Sequence, residues 1–125
     1  MNKVILTDKA PNPVGPYSQA VKVGHVLYCS GQIAIDPKTN EVKKGTIQEQ
    51  TSLVMMNIGG LLEAAGLTFD HIFKTTIYLT DMNDFPQVNE IYAKFFREKF
   101  PARSTVAVSA LPKGLNVEIE VLAEA

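Results

Sequence analysis

The sequence predicts an α+β sandwich, one sheet carrying two helices on one of its faces, and three observations predict it. Short β-like segments occur as turn-linked pairs near both ends of the chain. Two stretches of helical apolar period lie between those pairs, separated by an alternating strand. The 125 residues leave room for one core, so residues 1–125 form a single domain.

Residues 3–7 read as a short strand, followed by a loop made stiff by three prolines between positions 11 and 16. Residues 20–23 form a strand, Gly24-His25 a two-residue hairpin turn, and residues 26–35 the partner strand. The near-continuous apolar character of that partner implies burial on both faces. Gly31 interrupts it, and a glycine inside a strand marks a bulge or a close backbone approach. Asp36-Pro37 ends the strand, and residues 38–45 are a polar turn region.

Thr46, with Glu49 three residues later, is a capping-box signature. The helix it opens carries Ile47, Leu53, Val54, Ile58, Leu61, Leu62 and Ala65 at helical spacing and ends at Gly66. Gly59-Gly60 inside it cost about 1 kcal/mol each relative to alanine. Such a pair is intelligible where another backbone, here the sheet, packs closely. Residues 71–80 alternate as a strand, and Asp84-Phe85-Pro86-Gln87 opens a second helix reaching about residue 100, with Val88, Ile91, Tyr92, Phe95 and Phe96 on its apolar stripe. The closing strands, 101–108 and 117–121, are joined through Leu111-Pro112-Lys113-Gly114 and are expected to lie side by side. They keep apolar residues on each side, whereas two helices cover one sheet face only. The other face therefore calls for a subunit contact in a closed cyclic oligomer.

Composition narrows the function classes. A hydrophobic share of 46% and a charged share of 20% belong to an ordinary globular protein. Twelve basic and thirteen acidic residues leave a net charge of -1 with no concentrated positive run, which argues against a nucleic-acid partner, although an assembled surface could still build a patch. Cys29 is alone, so no intrachain disulfide and no Cys-x-x-Cys motif can form, in keeping with a reducing compartment. The first residues lack the apolar core of a signal peptide and nothing approaches a membrane-spanning length, so the cytoplasm is expected.

Common catalytic motifs are missing: no phosphate-binding loop, dinucleotide fingerprint, zinc-protease helix or nucleophile elbow. No cofactor and no metal are therefore expected. Asp81-Met82-Asn83-Asp84 imitates the start of a calcium loop, but Phe85 and Pro86 fill the next ligand and glycine positions, so it reads as helix capping. His25 and His71 have no visible partner, and Cys29 reads as a small buried hydrophobe.

Arg103 is different: a permanent charge heading a strand that otherwise reads as buried. Its planar fork grips a carboxylate at two points. Glu118, on the following strand, is a carboxylate that could share its pocket, and an arginine beside it would keep it ionised. The competing reading is a half-exposed strand-end arginine paired to a surface glutamate. Tyr17 on its proline-bounded loop, Ser30 beside Gly31, and Asn89 on the second helix are further polar groups in unusual places.

Gly15-Pro16-Tyr17-Ser18-Gln19, Ser30-Gly31-Gln32-Ile33, Val88-Asn89, Pro101-Ala102-Arg103-Ser104 and Val117-Glu118-Ile119-Glu120 together resemble the signature blocks of the reactive-intermediate deaminase (RidA, YjgF-like) family. The resemblance runs from about Lys3 to Ala123. It implies a chorismate-mutase-like fold assembled as a homotrimer with clefts between subunits. It implies hydrolysis of enamine and imine intermediates, such as 2-aminoacrylate and 2-iminobutanoate, to 2-oxo acids and ammonia. Arg103 would clamp the substrate carboxylate and Glu118 would hold the attacking water, while Tyr17, Ser30, Gly31, Asn89 and Thr105 would line the cleft. At Thr105 the chain departs from the many deaminating members that carry cysteine, so a thiol role there has no counterpart. Family relatives are also labelled endoribonucleases or translation inhibitors, and a non-catalytic module binding small carboxylates, or a holdase, is a third class. An iminium carbon needs only an oriented water, so the missing cofactor motifs agree with the deaminase reading.

Overall fold

The computed structural model describes residues 2–125. Its sheet is built from β1 (Lys3–Ile5), β2 (Ala20–Val23), β3 (Val26–Cys29), β4 (Ile72–Leu79), β5 (Ala102–Ala107) and β6 (Val117–Glu124), with α1 (Ile47–Ala64) and α2 (Phe85–Ala93) on one face. The strand order is β1-β2-β3-β6-β4-β5. All neighbours are antiparallel except β4 and β5, which are parallel, so the sheet is mixed. The α+β architecture matches the sequence-based expectation, and the Gly24-His25 hairpin joins β2 to β3 as expected.

The closing strands are not neighbours. β4, α2 and β5 form a parallel crossover unit, which places β5 on the outer edge of β4 and leaves the inner edge for β6. The chain between them passes over the end of β4, where Val108 N donates to Leu79 O (2.7 Å) and Thr80 N to Asn116 O (3.2 Å). β5 therefore has one neighbour and is largely exposed rather than buried.

Three further segments differ from their sequence reading. β3 stops at Cys29; beyond it pairing is reduced to two isolated bridges, Ile35 with Val42 and Gln32 with Ile119, the latter pair exchanging backbone hydrogen bonds of 2.8 and 3.1 Å. It is buried on one face, with Leu27 and Cys29 inside and Tyr28 exposed. α2 ends at Ala93 because the next amides turn to i−3 carbonyls (Lys94 to Ile91, Phe95 to Tyr92, Phe96 to Ala93), which tightens the coil. Phe96 then packs on Tyr92, ring centroids 4.9 Å apart, and on Phe69 at 6.0 Å. Gly60 packs on the carbonyl of Lys9, in the loop after β1, and Gly59 on the ring of Phe69; neither meets the sheet.

The core sits between the helices and the sheet. Val54, Ile58, Leu61 and Leu62 of α1 and Val88 of α2 pack against Ile77, Leu79, Val117, Ile119 and Val121. α1 opens with both bonds of the capping box, Glu49 N to Thr46 Oγ1 and Thr46 N to Glu49 Oε1, and closes before Gly66 at φ 75°. Among the described residues no helix is long and apolar enough to cross a membrane.

Candidate active site

Strand register decides which side chains meet. Thr75 pairs with Arg103 on one side and Val121 on the other, and its hydroxyl shares a 2.8 Å hydrogen bond with Tyr92 of α2. Arg103 thus leaves the edge strand on the helix-covered face. Tyr78, three residues on, pairs with Glu118, so Glu118 projects from the opposite, uncovered face. Two strand spacings and a three-residue offset put their Cα atoms about 14 Å apart. The sheet lies between them, and one protomer does not bring Arg103 and Glu118 into a common pocket.

Each anchors its own cleft. Asn89, Tyr92, Ala93, Phe100, Pro101 and Arg103 line a hollow of about 440 Å³. Arg103 Nη1 donates to Asn89 Oδ1 at 2.6 Å. Its guanidinium carbon stands 5.1 Å from the Phe85 ring centroid and 5.2 Å from that of Tyr92, within cation–π range of both. Among the described residues no carboxylate is within ion-pair distance of it. A fork held from three sides with no anionic partner is a ready receptor for a carboxylate. Phe85, Asn89 and Tyr92 follow i, i+4, i+7 spacing and so share one face of α2. Tyr92 is core, as its place on the apolar stripe predicts, and Phe85 stands in the stretch that opens the helix; the spacing of both around Asn89 is the sequence signal for their second role beside Arg103.

The second cleft, about 530 Å³, gathers Tyr17, Ser30, Gly31 and Glu118, together with Glu120 and Lys113. Its loop is set by Gln19, a buried side chain whose Oε1 accepts from Thr7 N at 2.7 Å and whose Nε2 donates to Thr7 O, Ala10 O and Pro11 O. Ser30 then ties itself to the Tyr17 loop, its N donating to Gln19 O (2.9 Å) and its Oγ to Ser18 O (2.6 Å). The Glu118 carboxyl lies on the bare backbone of Gly31: a Cβ there would stand 2.9 Å from Cδ and 3.1 Å from Cγ, and nearer still to Oε2.

Burial, then the neighbouring charge of Glu120, holds the Glu118 carboxyl above the usual carboxylate range. The expectation that Arg103 keeps it ionised fails within one chain, because Arg103 is on the other face. Tyr78 Oη donates to Glu120 Oε1 at 2.7 Å, which pushes the phenol up. Burial raises Cys29 to about 12, leaving its thiol protonated and unreactive at neutral pH. Thr105 follows Arg103 on the same face of β5, opposite Ile77, and its buried Oγ1 has no hydrogen-bond partner. It lines neither cleft. Asp81 caps Asn83 N at 2.9 Å, and His71 Nδ1 lies 3.0 Å from Thr68 N, its donor.

Comparison with known proteins meets this geometry at full length. The family model described as Endoribonuclease L-PSP matches residues 7–125. A RutC family protein of Pyrococcus horikoshii is 54% identical over 123 residues, covering 98% of each chain. The human 2-iminobutanoate/2-iminopropanoate deaminase is 47% identical over 123 residues, covering 98% of this chain and 90% of the relative. The crystal structure of YyfA from Yersinia pestis, of the Rid protein family, superposes with a TM-score of 0.97 at 52% identity, covering all of both chains. With the Arg103 and Glu118 blocks set in that fold, the chain belongs to the RidA family, the group whose model is described as Endoribonuclease L-PSP.

Proposed function

We propose that this protein hydrolyses small 2-imino acids and their enamine tautomers to 2-oxo acids and ammonia, as a homotrimer whose sites lie where two subunits meet. The observation that carries the reading is the division of labour between the sheet faces. A carboxylate receptor without an anion and a carboxyl raised for proton transfer occupy separate open clefts, and a second copy can bring them together.

The uncovered sheet face supplies the means of assembly. Val4, Val23, Tyr28 and Val106 are between 43% and 61% exposed, and the register places them on the same face as Glu118. A monomer rarely leaves such a face open to water. Relatives of this family named as 2-iminobutanoate/2-iminopropanoate deaminases, in human, mouse and cattle at 46 to 47% identity, support the choice of substrate.

In the reaction, Arg103 of one subunit binds the substrate carboxylate, held in place by Asn89, Phe85 and Tyr92. Glu118 of the neighbouring subunit accepts a proton from water as the water oxygen bonds to the imine carbon. The C=N π pair moves to nitrogen, which takes a proton from solvent. The tetrahedral carbinolamine then collapses: Glu118 gives the proton it took from water to the amine nitrogen and accepts the hydroxyl proton in its place. The C=O forms, the C–N bond breaks and ammonia departs, and Glu118 returns its proton to solvent. Overall, a 2-imino acid and one water give a 2-oxo acid and one ammonia. Gly31 gives Glu118 room to stand in the cleft, and Ser30 and Tyr17 bound the water side, while Thr105 follows Arg103 on the same face of β5. A carboxylate of ordinary strength suffices for this transfer, because positioning of the water and charge complementarity do most of the lowering of the barrier.

The test couples a threonine or serine dehydratase to this protein and follows 2-oxo acid release. The parental protein accelerates release, and Arg103→Ala abolishes that acceleration while the oligomer persists in size-exclusion chromatography. Near-parental turnover by Arg103→Ala would sink the reading.

A further inference from the structure

Lys113 is the residue of the Glu118 cleft that no step above uses, and its backbone is out of the ordinary. It stands at φ 63°, ψ 17°, in the left-handed region that residues with a Cβ seldom adopt. Among the described non-glycine residues only Asn40 shares a positive φ, and asparagine tolerates it. A glycine at 113 would relieve the turn, yet the turn presents an ammonium. Strain of this kind is commonly kept where the side chain has work to do.

Lys113 lies on the wall of the cleft that holds Tyr17, Glu118 and Glu120, and it is the only cation among the residues lining it. Among the described residues it is ion-paired to neither carboxylate. It is therefore not spent on neutralising Glu118. An anion entering this cleft meets two carboxylates, and a positive charge in the same wall offsets their repulsion.

We propose that Lys113 is the anion-capturing residue of the cleft, an ammonium held by a strained turn that draws in small 2-imino and 2-oxo acids and favours those with a second carboxylate. This rests on the Glu118 cleft being the substrate site of the proposed deaminase. Arg103 of the neighbouring subunit takes the carboxylate next to the reacting carbon, and Lys113 faces whatever negative charge the substrate carries further out.

The test is calorimetric binding of 2-oxobutanoate and 2-oxoglutarate at low and high salt, run beside the dehydratase-coupled assay. Lys113→Gln and Lys113→Gly are expected to weaken 2-oxobutanoate about threefold and 2-oxoglutarate about tenfold at low salt, with the losses shrinking at high salt. Lys113→Arg keeps both affinities. Lys113→Gly also melts at a higher temperature than Lys113→Gln, since it alone relieves the backbone, so a kinetic loss in it is not a folding defect. Parental affinities in Lys113→Gly overturn the proposal, as does a parental protein that binds neither acid. Binding without imine turnover by the parental protein sinks the deaminase reading instead, and Lys113 is then judged on the affinities alone.

Discussion

Gly31 and Glu118 compete for the same space, and the competition sets the position of the carboxyl. A methyl group at 31 would displace the Glu118 side chain, since the nearest heavy atoms belong to it. Gly31→Ala is expected to lower kcat at least about tenfold, because misplacing a proton-transfer group by an ångström is worth that much, while the circular-dichroism melt stays near parental. The charge on Glu118 is open to a separate test. Burial and Glu120 both disfavour its ionised form in the protomer, while an arginine brought up by a second copy favours it, and activity that needs the carboxylate rises with pH as the carboxyl ionises. Removing the negative neighbour in Glu120→Gln should shift the acid limb of kcat/KM to lower pH, while the amide oxygen still accepts from Tyr78. An unmoved or upward-shifted limb in a pH–rate profile would mean that Glu120 does not tune Glu118. Arg103 and Gly31 were legible in the sequence because each is an oddity in place: a fixed charge in a strand, a glycine within another. Phe85 and Tyr92 were not, because stacking on a guanidinium is a property of two elements packed together, and an aromatic at helical spacing reads equally well as core.

At the scale of elements, local chemistry was legible and long-range pairing was not. Thr46, Glu49 and Gly66 bound α1 through contacts spanning a few residues, and those are written in consecutive letters. The placement of β5 depends on α2 carrying the chain back to run parallel with β4, a contact that no turn residue announces. The same limit explains Gly60, whose close neighbour is the carbonyl of Lys9, far back in the loop after β1. A methyl group there would press on backbone that Gln19 has already fixed, whereas one at Gly59 would meet a side chain, the Phe69 ring at 3.2 Å, which has to give by only a few tenths of an ångström. Gly60→Ala is therefore expected to destabilise by about 1–3 kcal/mol through overpacking, offset in part by the alanine's helix propensity of about 1 kcal/mol. Gly59→Ala should be near neutral. Urea unfolding of the pair checks this, and equal midpoints would mean that the Lys9 loop yields freely.

For the whole molecule, the question is whether the two clefts belong to one site. Within a protomer the sheet separates Arg103 from Glu118, so a combined site has to draw them from different copies. Two variants inactive alone then become active when mixed. Arg103→Ala subunits retain Glu118, Glu118→Gln subunits retain Arg103, and co-assembly creates boundaries at which both intact residues meet. For equal amounts and random assembly into a closed ring, about one boundary in four is intact on both sides, so about a quarter of parental activity should return. A site contained within one chain predicts none, because every subunit carries a lesion. Native mass spectrometry, which resolves the subunit mass difference of Arg103→Ala from Glu118→Gln, confirms that hybrids formed after unfolding and joint refolding or coexpression. Recovery near one quarter supports a shared site, and absence of recovery in verified hybrids would confine the chemistry to a single protomer. Such confinement would contradict the opposed faces of β4, on which the argument for assembly stands.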